Sequence, residues 1–125
     1  MKTKTRKVLV IDDEPDSLMT LSMALKSLGY IVIGALNGKE GLKFFKEEKP
    51  DLVILDIVMP VLNGWKVLQK IKGGFKSRKV PVILITGQPE EEDKEKGYRY
   101  KADFYATKPY NLKQLLLVIE DMLSK

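Results

Sequence analysis

The fold is decided by residues 52–55, Leu52-Val53-Ile54-Leu55, a run of aliphatic side chains that does not alternate with polar ones. A strand that is buried on both faces has this pattern, because helices cover both sides of a parallel sheet. Residues 8–11, 30–33 and 80–85 form similar runs, and residues 102–106 form a fifth, more polar one. The sequence therefore predicts five strands, the first four of them buried on both faces.

The segments between these runs have the local signals of helices. Pro15 suits the first position of a helix, and Gly29 suits the left-handed conformation that often follows one. Asn37 and Asn111 are suitable N-caps. The predicted apolar stripes comprise Leu18, Leu21, Leu25 and Leu28, then Leu42 and Phe45, then Val67, Leu68 and Ile71, and finally Leu112, Leu115, Leu116, Ile119 and Leu123. Five strand–helix repeats predict a single doubly wound α/β domain with a parallel sheet.

The predicted fourth helix differs from the others. Residues 90–96 are almost all charged and have no apolar stripe. A helix with so few packing contacts depends on charge pairs, so we expect it to be the loosest element of the fold.

The composition excludes several kinds of site. The 125 residues include no cysteine and no histidine, so disulfides, thiolate zinc sites and histidine-based triads are impossible. A bound metal would need oxygen ligands, which favours magnesium, calcium or manganese. The longest apolar stretches reach about six residues, against about 18 for a membrane helix. No signal-like segment follows the basic N-terminus, so we expect a cytoplasmic protein, and the net charge of +5 is compatible with an anionic partner.

Functional side chains follow four of the five predicted strands. Asp12 and Asp13 follow the first, Asp56 the third, Thr86 the fourth and Lys108 the fifth. Ligands of open parallel sheets bind at the carboxyl ends of the strands, so we expect these side chains to converge. Three adjacent carboxylates repel one another, and a hard divalent cation resolves that conflict. The pattern predicts a Mg²⁺ site, with Lys108 compensating further.

A phosphoryl group fits such a site together with the metal. Mg²⁺ neutralises phosphoryl oxygens, Lys108 reaches another oxygen, and Thr86 donates a hydrogen bond. Asp56 stands at the end of the central run, between the acidic pair and Thr86. We therefore expect Asp56 to be the nucleophile that forms an acyl phosphate.

Four motifs, in their order and spacing, resemble those of response-regulator receiver domains. They are Ile11-Asp12-Asp13-Glu14, Asp56-Ile57-Val58-Met59-Pro60-Val61-Leu62-Asn63-Gly64, Ile85-Thr86-Gly87 and Tyr105-Ala106-Thr107-Lys108-Pro109. The resemblance spans essentially the whole chain, residues 1–125. It implies a flavodoxin-like fold with five helices and the strand order 2-1-3-4-5, and a place in a two-component phosphorelay.

The resemblance implies how the phosphoryl group and the metal are held. Asp56 would be the residue that is phosphorylated. Mg²⁺ would bind Asp13, Asp56 and the backbone carbonyl of Val58 directly. Asp12 would act on the metal through water.

Further roles that the resemblance implies concern the switch. Lys108 would bind the phosphoryl group, and Thr86 would hydrogen-bond it and draw the fourth strand inward. Tyr105 would change position together with Thr86, and Pro109 would follow a cis peptide bond. The chain departs from the family pattern at Lys101, where a glycine is common.

The resemblance also implies partners. A histidine kinase or phosphotransfer protein would supply the phosphoryl group from a histidine, a residue that this chain lacks. The surface formed by the predicted fourth helix, the fifth strand and the last helix would control a downstream target or a fused output domain. The chain would catalyse only its own phosphorylation and dephosphorylation. From the residues themselves, which include no spanning segment and no recognised nucleic-acid motif, we expect no direct nucleic-acid or membrane partner. Because it starts with Met1, we favour a stand-alone protein over an excised domain.

Three other function classes fit less well. A small Mg²⁺-dependent phosphohydrolase of the haloacid-dehalogenase type has a general acid two residues after its Asp nucleophile, where this chain has Val58. A flavodoxin-type nucleotide site needs a phosphate loop after the first strand, and residues 12–16 are mostly acidic instead. Nucleic-acid binding is not supported by a recognised motif.

Overall fold

The computed structural model describes residues 5–57, 64–86 and 102–124. In chain order the elements are β1 (Lys7–Ile11), α1 (Pro15–Ser27), β2 (Ile31–Ala35), α2 (Gly38–Glu48), β3 (Leu52–Asp56), α3 (Gly64–Gly73), a short 3-10 helix (Ser77–Lys79), β4 (Val82–Thr86), β5 (Phe104–Thr107) and α4 (Leu112–Leu123). The helix predicted over residues 90–96 lies outside the described residues.

The five strands form one parallel sheet. Their order is β2-β1-β3-β4-β5, which confirms the doubly wound topology. Ile11 pairs with Leu55, Asp56 with Ile85 and Thr86 with Thr107. The carboxyl ends of β1, β3, β4 and β5 therefore lie side by side at one edge of the sheet.

The hydrophobic core covers both faces of the sheet, as the non-alternating runs predict. Successive strand residues point to opposite faces, so Val8 and Val10 pack with α1 and α4, while Leu9 and Ile11 pack with α2 and α3. The fully buried strands β3 and β4 contribute to both clusters. Packing on both faces holds the central strands in position, and with them the residues at the strand ends.

The residues predicted to mark helix boundaries do so in the structure. Pro15 occupies the first turn of α1, and Gly29 has a φ of 93°, in the left-handed region. The side chains of Asn37 and Asn111 cap α2 and α4, accepting hydrogen bonds from backbone N–H groups three residues later.

The predicted burial of the second strand on both faces is wrong, because only Ala35 of β2 is buried, and the predicted burial of Leu28 is wrong as well. β2 lies at the edge of the sheet, and Ile31 is 46% exposed although its apolar run predicts burial. Leu28 caps α1 instead of joining its apolar stripe and is 43% exposed. The local run of side chains does not encode which strand has only one neighbour.

Within residues 5–57, 64–86 and 102–124, none of the helices combines the length and the apolar character that crossing a membrane requires.

Candidate functional site

The strand ends bring the predicted site residues to one edge of the sheet. β3 ends with Asp56 and β4 ends with Thr86, while Asp12 and Lys108 directly follow β1 and β5. The backbone N–H of Asp12 donates to Ala35, and that of Lys108 donates to Thr86 at 2.7 Å. The two residues beyond the strands are thus still held by the sheet.

Three carboxylates meet at this edge. Asp12, Asp13 and Asp56 each offer an oxygen, and these oxygens lie within 4.8 Å of one another. Asp12 and Asp56 are buried, with exposures of 8% and 6%. The N–H of Glu14 donates to Asp12 Oδ1 at 2.9 Å and fixes that carboxylate. Such a set of oxygen donors fits a hard divalent cation such as Mg²⁺.

Lys108 places an ammonium group against the acidic cluster. Its Nζ donates a hydrogen bond to Asp56 Oδ2 at 3.2 Å and lies 3.8 Å from Asp12 Oδ2. It lies 3.6 Å from the Glu14 carboxylate as well. The peptide bond between Lys108 and Pro109 is cis.

The electrostatics of the cluster follow from burial and proximity. Burial raises the pKa of Asp12 to about 6, and the nearby Asp56 carboxylate adds to the rise, while the Glu14 N–H and Lys108 oppose it. Burial alone would lower the pKa of Lys108, but the carboxylates of Asp56, Asp12 and Glu14 outweigh burial and raise it. Burial and mutual repulsion therefore both disfavour the charged form of Asp12.

Thr86 and Tyr105 lie on the same side of the sheet. Thr86 is 1% exposed at the end of β4, and Tyr105 pairs with Leu84, two residues before Thr86. Alternate residues of a strand share a face, so Leu84, Thr86 and Tyr105 point to one side. Tyr105 packs against the core cluster on that side, which contains Leu84. Thr86 and Tyr105 therefore lie on the same face of two neighbouring strands.

The start of α3 is pressed against the end of β3. The N–H of Gly64 donates to the carbonyl of Ile57 at 2.8 Å. A Cβ atom at Gly64 would collide with the Asp56 carbonyl oxygen and the Ile57 Cα. Glycine is needed here because the helix approaches the backbone of the acidic strand end so closely.

Two residues next to the site were not given roles by the sequence. Glu14 pairs with Lys108, and its signal was its place directly after the acidic pair. Burial raises the pKa of Tyr110, which follows the Lys108–Pro109 pair; Lys108 opposes that rise and Asp12 adds to it. Val58, whose carbonyl the resemblance implied as a metal ligand, lies outside the described residues.

With this geometry established, comparison with known proteins identifies the family. Residues 8–120 match the family model of the response regulator receiver domain. The chain belongs to this family, whose members serve two-component signalling. Membership does not favour the phosphohydrolase alternative.

Curated relatives and solved structures agree with this membership. The chain is 36% identical to Protein PilH of Pseudomonas aeruginosa, covering 94% of this chain and 98% of that one. It is 37% identical to the alkaline phosphatase synthesis transcriptional regulatory protein PhoP of Bacillus subtilis, over 88% of this chain but 45% of that one. It thus spans about half the length of PhoP and of the similar ycf27 regulators.

A solved structure shows the same likeness in three dimensions. The chemotaxis protein CheY4 of Vibrio cholerae superposes with a TM-score of 0.89 at 27% identity, covering 95% of this chain and 99% of that one. A CheY-like receiver domain protein of Methanospirillum hungatei gives 0.91 at 28% identity, with 97% and 95% covered.

Proposed function

We propose that Asp56 accepts a phosphoryl group from a phosphohistidine of a partner kinase or phosphotransfer protein. The observation that carries this proposal is the contact between Asp56 and Lys108 inside a cluster of three carboxylates. Asp56 lies nearer to Lys108 than Asp12 does, at 3.2 Å against 3.8 Å. It also terminates the central strand, at the edge of the sheet where Asp12 and Lys108 lie.

The donor set fits Mg²⁺. Asp12, Asp13 and Asp56 supply carboxylate oxygens at mutual distances compatible with one ion, and Val58 would add its carbonyl. Bound Mg²⁺ would supply positive charge to the phosphoryl oxygens. In the proposal Asp13 and Asp56 bind the ion directly, and Asp12 acts through water.

The transfer is a displacement at phosphorus. A carboxylate oxygen of Asp56 attacks, the phosphorus–nitrogen bond of the donor breaks, and the electron pair returns to the imidazole nitrogen. Lys108 then pairs with a phosphoryl oxygen instead of the bare carboxylate. The product is an acyl phosphate on Asp56, which later loses its phosphoryl group to water.

The response to phosphorylation uses Thr86 and Tyr105. The hydroxyl of Thr86 turns toward the new phosphoryl oxygens. Tyr105 then moves into the space that the Thr86 hydroxyl vacates. Their common face of the sheet supports this coupling. The surface that responds comprises the segment around residues 90–96, β5 and α4.

The wider proposal treats residues 1–125 as one cytoplasmic receiver domain. It controls a protein target or an output domain and performs no chemistry other than its own phosphorylation and dephosphorylation. The relatives named as transcriptional regulators are about twice as long as the matched segment, which fits a receiver joined to an output domain in those proteins.

The test is phosphorylation by acetyl phosphate. With Mg²⁺, intact-protein mass spectrometry should detect one added phosphoryl group, and chelation of Mg²⁺ should prevent the addition. Asp56→Asn should abolish it, while Asp121→Asn, a change on α4 away from the site, should leave it intact. Equal labelling of Asp56→Asn and wild type would contradict the proposal.

A further inference from the structure

A second charged surface lies on α3 and the connection that follows it. Between Asp56 and Glu90 the sequence has no acidic residue. The basic residues in this interval are Lys66, Lys70, Lys72, Lys76, Arg78 and Lys79. Lys66 and Lys70 are one helical turn apart, where like charges destabilise a helix slightly. Lys70 and Lys72 lie in the last turn of α3, where positive charge stabilises the helix, but Lys66, Lys76, Arg78 and Lys79 lie outside that turn.

The connection folds into a tip that presents an aromatic ring. Phe75 is 73% exposed, and it follows directly after Gly73 and Gly74. The guanidinium carbon of Arg78 lies 4.9 Å from the centre of the Phe75 ring, and Lys79 Nζ lies 5.9 Å from it. The apolar ring and the cations thus form one unit.

The backbone of this tip is held in place by internal hydrogen bonds. Ser77 Oγ donates to the carbonyl of Ile71 at 2.6 Å, and the N–H of Arg78 donates to Gly74 at 3.1 Å. The cations are therefore presented together by a folded turn, and binding need not first order the chain.

The acidic side chains that border the tip already have partners. Asp51 and Asp103 line a cavity with Lys79. Asp51 accepts a hydrogen bond from the Lys7 N–H at 2.8 Å, and Asp103 pairs with Lys72 at 2.7 Å. The positive charge of the exposed residues Lys70, Lys76, Arg78 and Lys79 is thus turned outward.

We propose that this tip binds the surface of an anionic phospholipid membrane. Phe75 enters the interfacial layer, and the exposed cations lie near the phosphate headgroups. The sequence predicted no membrane partner because it lacks a spanning segment, and surface binding needs none.

The geometry favours a membrane over other anionic partners. A nucleic-acid base would have to stack on the ring that Arg78 and Lys79 already approach, whereas insertion into lipid uses the outer edge of the ring. An acidic protein would need a cavity matched to Phe75. A lipid surface accepts a protruding ring without a matching shape.

Binding at the tip would leave the phosphorylation site accessible. α3 begins against Asp56 and ends at Gly73, and its 10 residues span about 15 Å. The tip and the acidic cluster therefore lie at opposite ends of α3. Variants of the tip should still be phosphorylated by acetyl phosphate, which also shows that they are folded.

The test is sedimentation of the full chain with vesicles. Vesicles of phosphatidylcholine and phosphatidylglycerol should bind it, and vesicles of phosphatidylcholine alone should not. The combined variant Lys70→Gln, Lys76→Gln and Lys79→Gln should lose about fivefold in partitioning for each charge removed. The matched variant Lys26→Gln, Lys43→Gln and Lys113→Gln lowers the net charge of +5 equally and should lose much less.

The contribution of the ring is tested separately. Phe75→Ser should weaken vesicle binding, while Leu117→Ser, which removes an apolar side chain that is 59% exposed on α4, should not. Equal loss in the two charge variants would overturn the proposal, since it would indicate net charge alone. Absence of vesicle binding, or binding of a single-stranded oligonucleotide through the tip with no vesicle binding, would also overturn it.

Discussion

Lys108 is the residue on which the electrostatics of the site depend, because one ammonium group faces several carboxylates. It lies within 3.8 Å of Asp12, Glu14 and Asp56. Asp13 belongs to the acidic cluster and is more exposed than Asp12 and Asp56. The two residues therefore allow the cation and the anions of the site to be changed separately.

Two replacements of Lys108 should distinguish the effect of its positive charge from the effect of its shape. Lys108→Gln removes the ammonium group, and we expect phosphorylation from acetyl phosphate to slow roughly 100-fold, as for the loss of one donor to developing charge. Lys108→Arg keeps the charge but replaces a compact ammonium with a planar guanidinium, so it should be intermediate in rate. Time courses of intact mass measure both. Wild-type rates in Lys108→Gln would exclude a contact with the phosphoryl group.

Replacement of Asp13 should raise the free energy of unfolding without Mg²⁺ and reduce the additional stabilisation that Mg²⁺ provides. Asp13→Asn relieves repulsion within the cluster, so without Mg²⁺ the free energy of unfolding should rise by about 1 kcal/mol or less. Mg²⁺ stabilises the wild type by binding the folded state, and that increment should shrink in the variant. Urea unfolding at several Mg²⁺ concentrations measures both effects, and an unchanged Mg²⁺ increment would contradict the ligand assignment.

At the scale of elements, the junction of β3 and α3 ties the site to the fold. Gly64 lies so close to the backbone of Asp56 and Ile57 that a side chain could be accommodated only by moving the helix or the strand. Gly73, at the other end of α3, has open space around the position of a Cβ atom. The two glycines of one helix thus provide a matched pair.

The glycine pair gives a test of this junction. Gly64→Ala should lower the free energy of unfolding by about 2 kcal/mol through overpacking and should also slow phosphorylation by displacing Asp56. Gly73→Ala should be neutral or slightly stabilising, because alanine is the better helix former. Denaturant unfolding and acetyl phosphate labelling of both variants provide the comparison. Equal stability of the two variants would show that α3 does not constrain the strand end.

At the scale of the whole molecule, the sequence predicts the sheet and the convergence at its edge because both follow from local patterns. Aliphatic runs identify strands, and a parallel sheet aligns their ends, so Asp12, Asp56 and Thr86 could be placed together. The exposure of Ile31 could not be predicted from its apolar run, because edge position depends on which strands become neighbours; only the strand order implied by the family resemblance places β2 at the edge. The pairing of Glu14 with Lys108 likewise depends on side-chain reach across two strand ends.

The proposed switch is also a property of the whole molecule. Addition of beryllofluoride, which mimics the acyl phosphate, should shift the amide resonances of Thr86, Tyr105 and α4 as well as those around Asp13 and Asp56. Thr86→Ala removes the hydroxyl, so shifts should persist near Asp56 but weaken at Tyr105 and α4. Shifts confined to the acidic loops in the wild type would show that the site is not coupled to this surface.

The central claim is that Asp56 is the phosphorylated residue, and chemical trapping tests it most directly. Borohydride reduces an acyl phosphate of aspartate to homoserine, which peptide mass spectrometry can localise. After treatment with acetyl phosphate and Mg²⁺, we expect homoserine at position 56 in the wild type and none when Mg²⁺ is chelated. Homoserine at position 12 or 13, or equal conversion without Mg²⁺, would contradict the account.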